Sequence, residues 1–220
     1  MGVSIYKGLG NGTALSGLEW IYALFAGHGT GYFQVLPFLE LLITGGAPLY
    51  LLAAFVEQTV NGQSIFVSVR SKGRRHLMKS ILLVSIKFLM VYAIFWLMAG
   101  LIGASLFSTG LTIVSFRFLL YAVLMKCLDI LAQYLIMLGI YIATRQVTIG
   151  FLVLVAGNLL CVLPGNWVAY SPFGLSSLTR ISVVEPGIGI SAVSAFGIEA
   201  AILTLMIAGI LMCGYKKILN

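Results

Sequence analysis

The chain has 220 residues, 60% of them hydrophobic and 9% charged, with a net charge of +7. A soluble domain carries about 25% charged residues, so a chain this apolar has too little polar surface to fold alone in water. That excludes a soluble globular enzyme. It also shifts the meaning of +7 from nucleic-acid binding, which is not expected, to Lys and Arg gathered on one side of a bilayer. No polar linker divides the chain, so one all-α integral membrane domain is expected.

Residues 1–34 read as an extracytoplasmic N-terminal segment. The first 17 are Gly-rich and polar, with Lys7 and no apolar core of a cleavable signal peptide. Gly8-Leu9-Gly10-Asn11-Gly12 follows no strand and is not a phosphate-cradling G-x-x-x-x-G-K-[ST] loop. Residues 18–26 are apolar but too short to span, and Trp20 and Tyr22 suit the headgroup level, so a short interfacial helix is predicted there.

A spanning helix needs about 20 mainly apolar residues. Five segments meet that condition: 35–56, 81–104, 114–140, 148–167 and 190–213. They are continuously apolar, without the alternation of barrel strands, so five transmembrane helices in a domain covering 35–220 are predicted. Gly45-Gly46-Ala47-Pro48 is a possible break in the first. The cysteines, Cys127, Cys161 and Cys213, lie inside apolar runs with no ligand spacing, and they read as small apolar residues.

Orientation follows from the loops. Arg70, Lys72, Arg74, Arg75 and Lys79 lie between spans one and two, Arg145 between spans three and four, and Lys216 and Lys217 in the tail. These eight fall on one side, against Lys7 and Arg180 on the other. The positive side is cytoplasmic, which predicts an external N-terminus and a cytoplasmic C-terminus. His28 and His76, the two histidines, then lie on opposite sides and form no metal pair. H-E-x-x-H and G-x-S-x-G are absent, so no intramembrane enzyme is expected, and no cofactor.

Several ionisable groups fall inside the spans: Glu40, Lys87, Arg117, Lys126, Asp129 and Glu199. Arg117, near the outer end of span three, has room to snorkel. Lys126 and Asp129 are three residues apart on one helical face and are placed to pair. Glu40, Lys126, Asp129 and Glu199 are candidates for a pathway, with helix-to-helix pairing as the structural alternative.

Two segments outside the spans carry information. The cytoplasmic segment 57–79 starts with Glu57, passes through the apolar Ile65-Phe66-Val67, and ends in the cluster around Arg70, Arg74 and Arg75. Anionic lipid accounts for the cations, but an apolar patch facing the cytosol points to docking on a protein. The predicted outer loop, 164–191, holds Pro164, Pro172 and Pro186 with Trp167, Tyr170 and Phe173. Pro and Gly there interrupt any regular span, leaving a simple loop or a shallow re-entrant piece.

These segments resemble the permease subunits of bacterial ABC-2-type exporters, including those beside lantibiotic and bacteriocin systems. The matching features are Glu57 at the end of a span, a coupling helix over about 58–69, the run Arg70-Ser71-Lys72-Gly73-Arg74-Arg75, and Leu163-Pro164-Gly165-Asn166-Trp167 before the last span. The resemblance covers roughly residue 35 to the C-terminus. Members usually have six spans after a cytoplasmic elbow helix; this chain reads as lacking the elbow and first span, with 1–34 as the loop that follows them. The resemblance implies a separate ABC ATPase that binds ATP and docks at Glu57, Ile65, Phe66, Val67, Arg70, Arg74 and Arg75. It also implies a second permease copy or a homologous permease, a bacterial plasma (inner) membrane location, and export of a peptide or other amphipathic substrate. The alternatives are an ion-coupled transporter or channel using the intramembrane charges, and a membrane immunity or assembly subunit.

Overall fold

In a bilayer an apolar run satisfies its backbone hydrogen bonds within itself, as a helix, and a computed structural model of the chain bears this out. It describes residues 16–27, 35–70, 74–108, 110, 112–161, 170, 171, 173–181 and 190–214, with only the backbone described at 36, 37, 61–70, 74, 75, 77, 107, 213 and 214. Among the described residues seven α-helices follow in order: α1 (Gly17–Phe25), α2 (Val35–Leu41), α3 (Ala47–Arg70), α4 (Arg74–Phe107), α5 (Ile113–Thr144), α6 (Val147–Leu160) and α7 (Ala192–Gly209). A π-turn, Leu42–Gly46, joins α2 to α3, so the predicted break in the first span is present as one wide turn within a continuing helix.

Four stretches are long and apolar enough to cross a membrane: Phe38–Val60, Met78–Leu106, Ile113–Thr144 and Ala192–Met212. The predicted span at 148–167 takes a different form. Its helix, α6, has 14 residues, about 21 Å at 1.5 Å per residue, against a hydrocarbon core of about 30 Å. It is therefore shorter than that core. The rest of that predicted span, 162–167, lies outside the described residues.

α5 is the axis of the bundle. Of its most apolar stretch 56% is buried, against 28%, 28% and 22% in the other three. It packs against α1, α3, α4, α6 and α7. One apolar cluster joins α3 to α6 through Leu52, Ile81, Tyr134, Leu138 and Leu154. A second seats α1 on α4 and α5 through Trp20, Ile21, Phe25, Trp96 and Leu119. The outward face of α4, with Met90, Val91, Ile94 and Phe95 exposed, is the surface expected against lipid. Lys87 is exposed among them, and its long stem suits snorkelling toward the headgroups.

Local chemistry fixes the ends of the elements. Ser16 and Glu19 form a reciprocal capping box on α1. The Ser16 amide that bonds to the Glu19 carboxylate holds that group below its usual range. Thr112 and Ser191 cap α5 and α7, their side chains accepting from the Ser115 and Ser194 amides. Arg145 ends α5 in the left-handed conformation (φ 62°), which turns the chain straight back into α6. The helix predicted at 18–26 is present as α1, and Trp20 packs inside the bundle. It is 3% exposed and its ring lies where a Cβ at Gly103 would stand, 2.1 Å away. The small residue on α4 is what lets α1 sink into the bundle.

Candidate functional site

The middle of this apolar bundle is polar. Asp129 and Gln133, one turn apart on α5, are both buried. The Gln133 Nε2 donates to Asp129 Oδ1 at 2.8 Å. From α6, the Asn158 amide donates to Gln133 Oε1 at 3.3 Å and to the Leu154 carbonyl at 2.8 Å. From residues 173–181, the Ser176 hydroxyl donates to Asp129 Oδ2. Three elements are thus stitched together by a chain of hydrogen bonds ending on one carboxylate. Where no water competes, each of these groups must find a partner inside the protein.

Of the predicted outer loop, 164–191, the structure describes residues 170, 171, 173–181, 190 and 191; Tyr170 is exposed, but 173–181 are not a surface loop. Gly174, Leu175, Ser176, Ser177, Leu178, Arg180 and Ile181 are all buried. The Phe173 ring fills the space that a Cβ at Gly157 would need, 2.7 Å away, which holds the segment against the end of α6. Gly174 has φ +78°, a turn that a residue with a side chain enters only with strain. On the other side, Ser177 Oγ and the Thr179 amide both donate to the Ala26 carbonyl, at 2.7 and 3.2 Å. Gly27, at φ +67°, leaves room for Ser177 there. Non-helical backbone at membrane depth is tolerated only when buried in protein or lining a cavity. This inner segment, residues 173–181, is buried in protein and so meets that condition.

Arg180 keeps the inner segment in place. The charge count places it on the outer side, and only 6% of it is exposed. Its guanidinium donates to the Phe173 carbonyl at 3.1 Å and to the Cys161 carbonyl at 3.0 Å. Cys161 is the C-cap of α6, so a cation meets the carbonyls that a helix end leaves open.

Lys126 sits one turn before Asp129. The sequence predicts an ion pair, but both Asp129 oxygens take neutral donors, and Lys126 is an electrostatic neighbour of the carboxylate. Lys126 also lines two clefts. One, about 560 Å³, has Glu40, Thr44, Ser176, Ser177, Phe25 and Trp96 among its other lining residues. The second, about 380 Å³, has Asp129, Gln133 and Asn158 with the π-turn glycines Gly45 and Gly46. Tyr92 on α4 donates to the Thr44 carbonyl, tying the π-turn to the bundle. Glu199, on α7, is fully buried and neither of its carboxylate oxygens has a hydrogen-bond partner.

Of the four predicted intramembrane residues, Lys126, Asp129 and Glu199 belong to one central cluster, and Glu40 shares a cleft with Lys126. The predicted coupling residues lie elsewhere. Glu57 is exposed near the end of the first span. Ile65, Phe66, Val67 and Arg70 are in the last turns of α3, and Arg74 and Arg75 start α4; their side chains lie outside the described residues. Sequence reasoning missed Gln133, Asn158 and Ser176. The signal was there for two of them: Gln133 is four residues from Asp129, and Asn158 is a lone amide in an apolar run. His28, Trp167 and the C-terminal lysines are outside the described residues, and among those described no three His, Cys, Asp or Glu gather as metal ligands.

The architecture and its polar centre define an all-α integral membrane protein, with four long apolar helices among the described residues and a further short one that ends beside the buried segment 173–181. Comparison with protein-family models, curated proteins and solved structures finds no match to the chain.

Proposed function

We propose that the chain is the transmembrane subunit of an ATP-driven ABC-2-type exporter in a bacterial plasma membrane, moving a peptide or other amphipathic compound outward. The observation that carries this reading is the continuity of α3. It runs unbroken from Ala47 to Arg70, while the span predicted within it ends at residue 56 and gives way to Glu57-Gln58. Residues 57–70 therefore continue the same helix for about 21 Å beyond the predicted span. The predicted coupling helix is the end of the first membrane helix itself, and a push on Ile65-Phe66-Val67 acts directly on the span. The partner ATPase would supply that push.

The burial of Arg180 supports the orientation. With that cation committed to backbone carbonyls, the cations left to set topology stand at eight on the cytoplasmic side against Lys7. The clefts support the substrate class: each combines the Lys126 ammonium with apolar walls, which suits a compound with a polar head and an apolar body. A second copy, or a homologous chain, would complete the pathway.

Phe66→Asp places a charge in the predicted docking patch. It is expected to reduce co-purification with a co-expressed ATPase carrying G-x-x-x-x-G-K-[ST] at least tenfold, while the chain still inserts and stays monodisperse in detergent. Undiminished co-purification would remove this docking site. The central Lys126–Asp129–Glu199 cluster favours a second reading, an ion-coupled transporter or channel. Transport in vesicles driven by an ion gradient, with no ATPase present, would select it.

A further inference from the structure

Glu199 poses an electrostatic problem that the exporter reading does not use. It is 0% exposed, and both carboxylate oxygens are buried without a donor. It faces α5, against which α7 packs, and the charged group acting on it is Asp129, of the same sign. Leu175 of the inner segment packs with Ala195 and Ile198 of α7, sealing the other side. Two carboxylates held together in a low-dielectric interior cannot both stay negative without compensation.

The cations nearby do not supply it. Lys126 acts on Asp129, and Arg180 donates to the Phe173 and Cys161 carbonyls. Glu40 lines the cleft on the far side of Lys126 and adds negative charge. Tyr121, the other titratable group of α5 near α7, points its hydroxyl at the Ala192 carbonyl, 3.4 Å away. A divalent metal asks for about six or more oxygens, more than this pair can offer with Ser176 and Gln133 already bonded to Asp129.

We propose that Asp129 and Glu199 form a buried site for one positive charge, a proton or a small monovalent cation, held between α5, α7 and the inner segment. Its occupancy is linked to the closed packing of α7 on α5: with the site filled the two helices stay together, and with it empty like charges push them apart. The site belongs to the chain whichever energy source drives transport, so it stands or falls separately from the exporter reading.

The test is thermal unfolding of the purified full chain in detergent, in two series. One varies pH at constant ionic strength in choline chloride. The other varies Li⁺, Na⁺ or K⁺ against choline at fixed mildly alkaline pH. If the charge is a proton, Tm falls as pH rises, by about 3 °C per pH unit for one linked proton, and the alkali cations do nothing. If it is a metal cation, Tm rises with one of them and saturates. Glu199→Gln, which keeps the shape and removes one negative charge, is expected to flatten either dependence and to match or exceed the parent Tm at alkaline pH. A parent Tm flat in both series would overturn the proposal. So would a dependence that persists unchanged in Glu199→Gln, and Asp129→Asn provides the same readout if that variant does not fold.

Discussion

Replacing Arg180 by Ala is expected to destabilise the bundle by about 3–5 kcal/mol, the range for breaking a buried, fully committed charge interaction. The guanidinium bridges two backbone carbonyls that no helix satisfies, at Phe173 and at the C-cap residue of α6. Without it both carbonyls are left buried in a bundle that has no water to offer them, and a void opens beside Gly174. In thermal unfolding in detergent the loss corresponds to a Tm lower by roughly 10 °C. Arg180→Lys is expected to recover part of this, because an ammonium keeps the charge but lacks the planar fork that reaches two acceptors at once. If Arg180→Ala melts with the parent protein, the inner segment is not held as described.

The second large effect is functional. Asn61→Pro places a proline beyond the predicted span, inside the continuous helix α3. Proline there removes one intrahelical hydrogen bond and clashes with the preceding turn, at a cost of about 3 kcal/mol or more. The local sequence is already a poor helix former, since Asn61 is followed by Gly62, so the break is expected to fall at that point. The docking patch at 65–67 lies beyond it and remains intact. The expected result is an ATPase that still binds but is decoupled: substrate movement falls at least tenfold while co-purification is retained. Asn61→Ala, which strengthens the helix, is expected to keep full coupling. Transport at the parent rate in Asn61→Pro would show that α3 is not the lever.

The sequence carries the membrane assignment and the helix positions because lipid imposes one simple rule: long apolar runs become helices. Val35 to Arg70, Arg74 to Phe107, Ile113 to Thr144 and Ala192 to Gly209 follow it closely. The rule fails at 148–167, where apolarity is the same but the helix ends at Leu160. What ends it is tertiary: Gly157 accepts the Phe173 ring, and Arg180 satisfies the open carbonyl of Cys161. Neither partner is near in sequence; the local mark of a stop is Pro164-Gly165, inside the predicted span. The same holds for Asp129. Its spacing from Lys126 suggests an ion pair, whereas its real donors are a neutral amide on its own helix and a serine 47 residues away. Arg180 misled for a related reason. A cation between Pro- and Gly-rich stretches looks like a surface charge, and only the fold reveals the carbonyls it is needed for.

The central claim is that the helix leaving the first span meets an ATPase in the cytoplasm. A photo-crosslinking amino acid at position 66, activated in living cells that express the full chain, tests it most directly, with the crosslinked species identified by mass spectrometry. The account predicts a crosslink to an ATPase carrying a G-x-x-x-x-G-K-[ST] loop, and its loss when a charge replaces Ile65 or Val67. Crosslinks only to lipid, or to a protein on the outer side of the membrane, would contradict it.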